Sequence, residues 1–164
     1  MKKIVLILLL VVYSCGSTDT SSLNDSDPPS NITIYDLSAK LNASTWKITF
    51  FSNNGIEETN LYSSYVFKFN KSQQDYNLDS GIIDVIYQTN NYKGNWSVYE
   101  KIISYNPTLD TVEFGYFVNL SLVSPNDILK INGEWQSVLE TNTKIELKKE
   151  YNGEIISRLF FEKN

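Results

Sequence analysis

The chain predicts an all-β protein: an eight-stranded antiparallel up-and-down barrel preceded by a short N-terminal helix. Three observations carry this. From Thr45 onward, eight short stretches alternate apolar and polar residues, the pattern of strands with one face on a core and one on water. Turn-forming runs such as Asn53-Asn54-Gly55, Thr89-Asn90-Asn91, Thr141-Asn142-Thr143 and Asn152-Gly153 separate the stretches. The aromatics, 13% of 164 residues, fall mostly on the apolar parity. Many short strands joined by hairpins favour a barrel or sandwich over an α/β fold. Closure as an up-and-down barrel also removes exposed edges.

Each element has its own signal. Ile34, Leu37 and Leu41 lie at i, i+3 and i+7, which predicts a helix within Ile32–Ala43, capped by Thr33 with Asp36 in its first turn. Such a helix would pack across one end of the barrel. The first strand lies in Asn42–Ser52, with Trp46, Ile48 and Phe50 facing the core and Lys47 and Thr49 facing water. After the Asn53-Asn54-Gly55 turn and a polar loop, Leu61–Asn70 places Ser63, Tyr65, Phe67 and Phe69 on one face. Gln73–Ser80 is polar and is expected to turn at Asp79-Ser80-Gly81. Ile82–Gln88 aligns Ile83, Val85 and Tyr87, and Lys93–Tyr99 aligns Gly94, Trp96 and Val98. A turn around Pro107 leads to Thr111–Val118, which aligns Val112, Phe114, Tyr116 and Val118. Ser124 as cap and Pro125 as first helical residue open a single apolar turn, Ile128–Ile131. The last three strands are Glu134–Glu140 (Trp135, Ser137, Leu139), Lys144–Lys149 (Ile145, Leu147) and Glu154–Glu162 (Ile155, Ser157, Leu159, Phe161).

Ahead of the barrel the chain reads as address and tether. Residues 1–14 form the expected signal peptide. Lys2 and Lys3 precede an apolar run, Ile4–Val12, that is too short to span a bilayer core of about 30 Å and suits a secretory leader. Val12-Tyr13-Ser14-Cys15 resembles the lipobox of bacterial lipoproteins: an aliphatic residue, a variable one, a small one, then cysteine. The resemblance implies that Cys15 is diacylated on sulfur, becomes the new N-terminus and anchors the chain to a membrane. Residues 15–32 are then a lipidated tether, rich in Ser, Thr and Asp, that lacks the apolar residues to offset backbone ordering. As a random coil, Gly16–Asn31 reaches roughly 20–25 Å. The barrel domain is expected over 33–164.

Charge and composition remove whole classes of chemistry. The formal net charge is −5, and without Lys2 and Lys3 it is −7, from 12 basic against 19 acidic residues. This balance disfavours nucleic acid, whose recognition clusters Lys and Arg. With no histidine and one cysteine, Ser-His-Asp and Cys-His catalysis, His-ligated zinc and internal disulfides are excluded. No cofactor or metal is implied, and the chain is not expected to be an enzyme. The carboxylates Glu57, Glu58, Asp75, Asp79, Asp84, Glu100, Asp110, Glu113 and Glu134 read as a solvated surface.

Five segments taken in order carry a family resemblance. Leu41–Ile48, Tyr65-Val66-Phe67-Lys68-Phe69, Gly94-Asn95-Trp96-Ser97-Val98, Leu129–Trp135 and Leu159-Phe160-Phe161-Glu162-Lys163 resemble the lipocalin-like lipoproteins of the Bacteroidota. Those proteins share a Trp early in the first strand, a Gly-x-Trp-x-Val strand, an acidic-Trp strand after a short helix, and a Leu-x-Phe-x-Lys ending. The similarity spans roughly residues 37–164. It implies a lipocalin-like barrel on the bacterial cell envelope, anchored to the outer membrane through Cys15, and no particular ligand.

Trp46, Tyr65, Phe67, Tyr87, Trp96, Phe114, Tyr116 and Trp135 share the inward parity. They are the candidate ligand-binding residues: an aromatic lining for a small hydrophobic molecule, with hydroxyls from Tyr65, Tyr87 and Tyr116 and space beside Ser63, Ser137 and Ser157. An eight-stranded barrel can equally be filled by its own side chains. In that alternative the protein engages a protein or glycan partner with its outer face, where Phe51, Val66, Ile86, Tyr99, Phe117 and Phe160 are the apolar residues expected outside.

Overall fold

Thr33 opens the structure by capping helix α1 (Ile34–Asn42): its hydroxyl accepts the Asp36 N–H at 3.3 Å, and the Asp36 carboxylate accepts the Thr33 N–H at 3.0 Å. The Thr33 hydroxyl also donates to this carboxylate at 2.8 Å, and that bond together with the Thr33 N–H holds the Asp36 carboxyl below its ordinary pKa. Ile34, Leu37 and Leu41 are buried, as their spacing predicts. The computed structural model describes residues 33–75 and 78–164, without the side chains of 73–77. The leader, Cys15, the tether and the Asp75 side chain lie outside this description.

The strands are β1 (Thr45–Asn53), β2 (Ile56–Glu57), β3 (Tyr65–Asp75), β4 (Leu78–Tyr87), β5 (Asn90–Asn106), β6 (Thr111–Leu122), β7 (Gly133–Glu140), β8 (Lys144–Tyr151) and β9 (Glu154–Lys163). A short helix α2 (Asn126–Leu129) lies between β6 and β7. Neighbours pair antiparallel in the order β2-β1-β3-β4-β5-β6-β7-β8-β9, and β1 pairs back onto β9 from Trp46↔Lys163 to Asn53↔Ser157. With β2 a two-residue extension, this is the expected closed eight-stranded up-and-down barrel. Asn54-Gly55 and Asn152-Gly153 have positive φ at both residues, the geometry of tight hairpin turns.

The registers sort the barrel into two ends. Chain enters β1 directly from α1, and Thr45 pairs with Lys68 of β3. The α1 end therefore also holds the β3–β4, β5–β6 and β7–β8 connections. The other end holds the β1–β2, β4–β5 and β8–β9 turns and α2.

Several local expectations are corrected, mostly where one inserted residue reverses the parity. A bulge between Ile48 and Phe50 turns Phe51 fully inside and sends Phe50 outside, where its ring lies 4.9 Å from that of Phe160. A bulge between Ser137 and Leu139 leaves both Val138 and Leu139 exposed, and one between Lys149 and Glu150 leaves Ile155 exposed. Thr59–Tyr62 is a 3-10 turn rather than the start of a strand, and it buries Tyr62, whose hydroxyl donates to the Asp127 carbonyl at 2.9 Å. Helix α2 begins one residue later than expected, with Pro125 as its cap.

The expected turn at Asp79-Ser80-Gly81 is strand. The β3–β4 ladder continues to Asp75↔Leu78, and Gly81 packs so closely that a Cβ there would lie 1.9 Å from the Asn70 carbonyl oxygen. Asp79 is accordingly fully buried rather than solvated, and Lys71 Nζ donates to it at 2.6 Å. A polar stretch reads as loop from composition; here a cationic partner makes its burial tolerable.

Candidate functional site

The barrel interior is packed. Trp46, Tyr65, Phe67, Trp96 and Trp135 are buried in one apolar cluster with Phe51, Phe69, Ile83, Leu120 and Phe161, and Tyr87 and Tyr116 pack against it half-buried. Rings meet edge to face, Phe67 with Phe161 at 5.5 Å and Phe69 with Trp96 at 5.7 Å, while Tyr65 and Tyr87 stack at 4.7 Å. All three indole N–H groups already have backbone acceptors: Trp46 donates to Leu41 (2.8 Å), Trp96 to Asn70 (3.3 Å) and Trp135 to Ile131 (2.7 Å). Trp46 thereby ties α1 to the barrel, and Trp135 ties the α2 turn to it. The three serines expected to leave space do not form one lining: Ser63 is exposed and donates to the Asn60 carbonyl, Ser137 donates to Glu140, and Ser157 donates to Asn53.

Phe114 departs from the expected interior set. It keeps the inward parity of β6 but lies past the barrel wall and is 50% exposed. The reason is the length of the β5–β6 hairpin. The β4–β5 ladder ends at Leu78↔Tyr99, and the β6–β7 ladder ends at Phe117↔Gln136, yet β5 and β6 stay paired as far as Asn106↔Thr111. From Lys101 to Phe114 every residue is exposed. Ile102, Ile103, Tyr105, Leu109, Val112 and Phe114 carry large apolar side chains there, each between 41% and 68% exposed. The tip is nonetheless ordered by its own hydrogen bonds. Asn106 Oδ1 accepts from the Thr108 and Leu109 N–H groups, and the Tyr105 hydroxyl donates to Asp110 at 3.0 Å.

At the base of this ribbon a groove of about 440 Å³ opens on the surface. Its apolar walls are Ile102, Ile103, Phe117, Tyr151 and Ile156, and its charged rim includes Lys101, Glu134, Lys148, Lys149 and Glu150. Lys101 donates to Glu134 at 2.8 Å, and Tyr99 donates to the other oxygen of the same carboxylate. Burial works to raise the Glu134 carboxyl, but these hydrogen bonds outweigh it and hold the group below its ordinary pKa. Burial and the Glu134 contact push the Tyr99 hydroxyl up, and burial pushes the Lys149 ammonium down. A second groove (170 Å³) lies beside Val138, Ile155 and Phe160, and a third (440 Å³) lies beside Lys40 and Lys163. None of the three grooves is lined by any of the eight expected aromatics.

Of the residues expected to form an outer apolar patch, Phe51 is inside and Phe117 is buried on the outer wall, stacked on Tyr99 at 6.0 Å beneath the Lys101 ammonium. Phe160 is covered likewise by Lys144, whose nitrogen is 4.8 Å from its ring centroid. Long lysine stems thus roof these outer aromatics, Ile86 is exposed on the outer face as expected, and the ribbon adds a run of exposed apolar residues beyond those expected. One local signal marks it in the chain: Ile102-Ile103 are consecutive apolar residues that break the alternation, and the ladder shifts register there.

The chemistry on offer is apolar contact, ion pairing and a strand edge. Among the described residues no three His, Cys, Asp or Glu side chains are grouped to hold a metal ion, and no helix is long and apolar enough to cross a membrane. Comparison with protein-family models, with curated proteins and with solved structures finds no match to the chain.

Proposed function

We propose that this protein is a non-catalytic binding module of the bacterial cell envelope, held at the outer membrane by a lipidated Cys15, and that it engages a protein partner through the Lys101–Phe114 ribbon and the groove at its base. One observation carries the binding surface: the interior is filled with aromatic side chains while fourteen consecutive ribbon residues stay exposed, six of them large and apolar. A two-stranded ribbon in water is marginal by itself, and exposed apolar residues gathered in one place mark interaction sites. The lipobox-like Val12–Cys15 and the likeness to lipocalin-like lipoproteins of the Bacteroidota support the location. The lack of any histidine supports a binding role over catalysis.

Photo-crosslinking from position 103 in intact cells tests the surface. A discrete partner band that Phe114→Ser removes, with the thermal unfolding midpoint unchanged, supports the reading. No band, together with uptake of a fluorescent fatty-acid probe by the purified protein, would instead put the ligand inside the barrel. Cys15→Ala should abolish lipid labelling and release the chain from membranes; association that persists would overturn the anchor.

A further inference from the structure

The far edge of β6 is unpaired where it leaves the barrel. β6 has β5 on one side along its whole length, but above Phe117↔Gln136 no strand among the described residues pairs with its other side. From Thr111 to Tyr116, alternate N–H and C=O groups therefore point away from β5 with no ladder partner. Such an edge is a template for another strand. Its side chains are sorted by face. Val112 and Phe114 lie on one face beside Tyr105 and Ile102, their partners across the ribbon. Glu113 lies on the other, opposite Ser104, and Gly115 beyond it is buried under the side chains of Ile103, Gln136 and Phe117.

Glu113 decides which strand fits. It is exposed and has no ion-pair or hydrogen-bond partner among the described residues. A second copy of this chain is a poor occupant: two-fold pairing centred on Glu113 sets that carboxylate against its own copy, and like charges directly opposite repel. A basic residue opposite Glu113, flanked by apolar residues over Val112 and Phe114, satisfies both faces at once.

We infer that the β6 edge Thr111–Tyr116 is a docking strand for an extended segment of a protein partner in which Lys or Arg alternates with apolar residues. The segment adds to the ribbon by main-chain hydrogen bonding, and side-chain pairing sets its register. This deepens the external-binding reading and rests on it.

The full chain, purified in mild detergent, is titrated with three labelled peptides. These are acetyl-Thr-Val-Lys-Val-Lys-Phe-Thr-amide, the same peptide with Glu in place of Lys, and the Lys peptide N-methylated at alternate backbone nitrogens. The Lys peptide should bind roughly tenfold more tightly than the Glu peptide, N-methylation should abolish binding, and amide shifts should move along Thr111–Tyr116. Glu113→Lys should reverse the preference between the two peptides, and Glu113→Gln should level it. Both variants sit on an exposed strand and should unfold at the wild-type temperature. Equal binding of the three peptides, binding of none, or a dimer of the wild-type chain that covers Thr111–Tyr116 would overturn the docking strand. If Phe114→Ser removes the cellular partner while no peptide binds, the docking strand alone fails. If Phe114→Ser changes nothing in cells, the external-binding reading fails with it.

Discussion

The Lys149 ammonium sits 4.3 Å from the centroid of the Trp135 ring. The same nitrogen donates to the Asn132 carbonyl at 2.6 Å, so one cation caps both the indole face and the loop that follows α2. Burial opposes the charge and lowers the Lys149 pKa. The unfolded chain therefore holds this proton more tightly than the folded one. As pH rises from the lowered folded value toward the ordinary lysine value of 10.5, stability from this group rises.

Lys149→Met should lower stability by about 1 kcal/mol at pH 7, the balance of a lost cation–π contact and hydrogen bond against relief of a buried charge. The stability gap between wild type and Lys149→Met should widen as pH climbs through that alkaline window. Urea unfolding at a series of pH values measures both effects, and a gap that narrows would contradict the direction of the shift.

Trp46→Phe should destabilise by about 3 kcal/mol. It leaves the Leu41 carbonyl without its 2.8 Å donor beside a new cavity in a filled core. Phe114→Ser should change stability by less than about 0.5 kcal/mol, because half of that side chain is already in water. Both residues share the inward parity, so comparing their denaturation midpoints tests directly where the barrel ends.

Lys71→Met should cost about 3 kcal/mol, since it strands the fully buried Asp79 carboxylate without its partner at 2.6 Å. Combining it with Asp79→Leu should recover much of that loss. If the double variant is no more stable than the single one, the pair is not coupled as its geometry indicates.

Asp36 carries the same sign of pH dependence as Lys149, at the acid end of the scale. Its folded pKa lies below the ordinary value of 3.8, so its contribution is present above that value and fades as pH falls through the lowered one. Thr33→Ala should cost about 1 kcal/mol near neutral pH by removing one half of the reciprocal cap. It should also flatten the acid limb of the stability profile.

The interior was readable from the chain because burial on a strand follows a period of two. Tyr65, Phe67, Ile83, Val85, Trp96, Val98, Trp135, Ile145, Leu147, Leu159 and Phe161 all face inward as their spacing predicts. Phe51 turns in, and Leu139 and Ile155 turn out, against their spacing, each beside a bulge whose one extra residue reverses the parity locally. Asp79 was missed because its burial depends on Lys71, which lies across a hairpin.

Amino-acid order thus determined the fold class, the capped helix, the Asn-Gly turns and most of the core, since these depend on local spacing and local conformational preference. Only the tertiary structure decided what is available for binding. Val112, Phe114 and Tyr116 alternate like any core strand, and their fate turns on whether β7 runs alongside them. It does so only from Phe117 onward, so the same periodicity that buries Val118 leaves Phe114 in water. Exposure is a property of neighbours brought together by closure, and no spacing within one strand contains it.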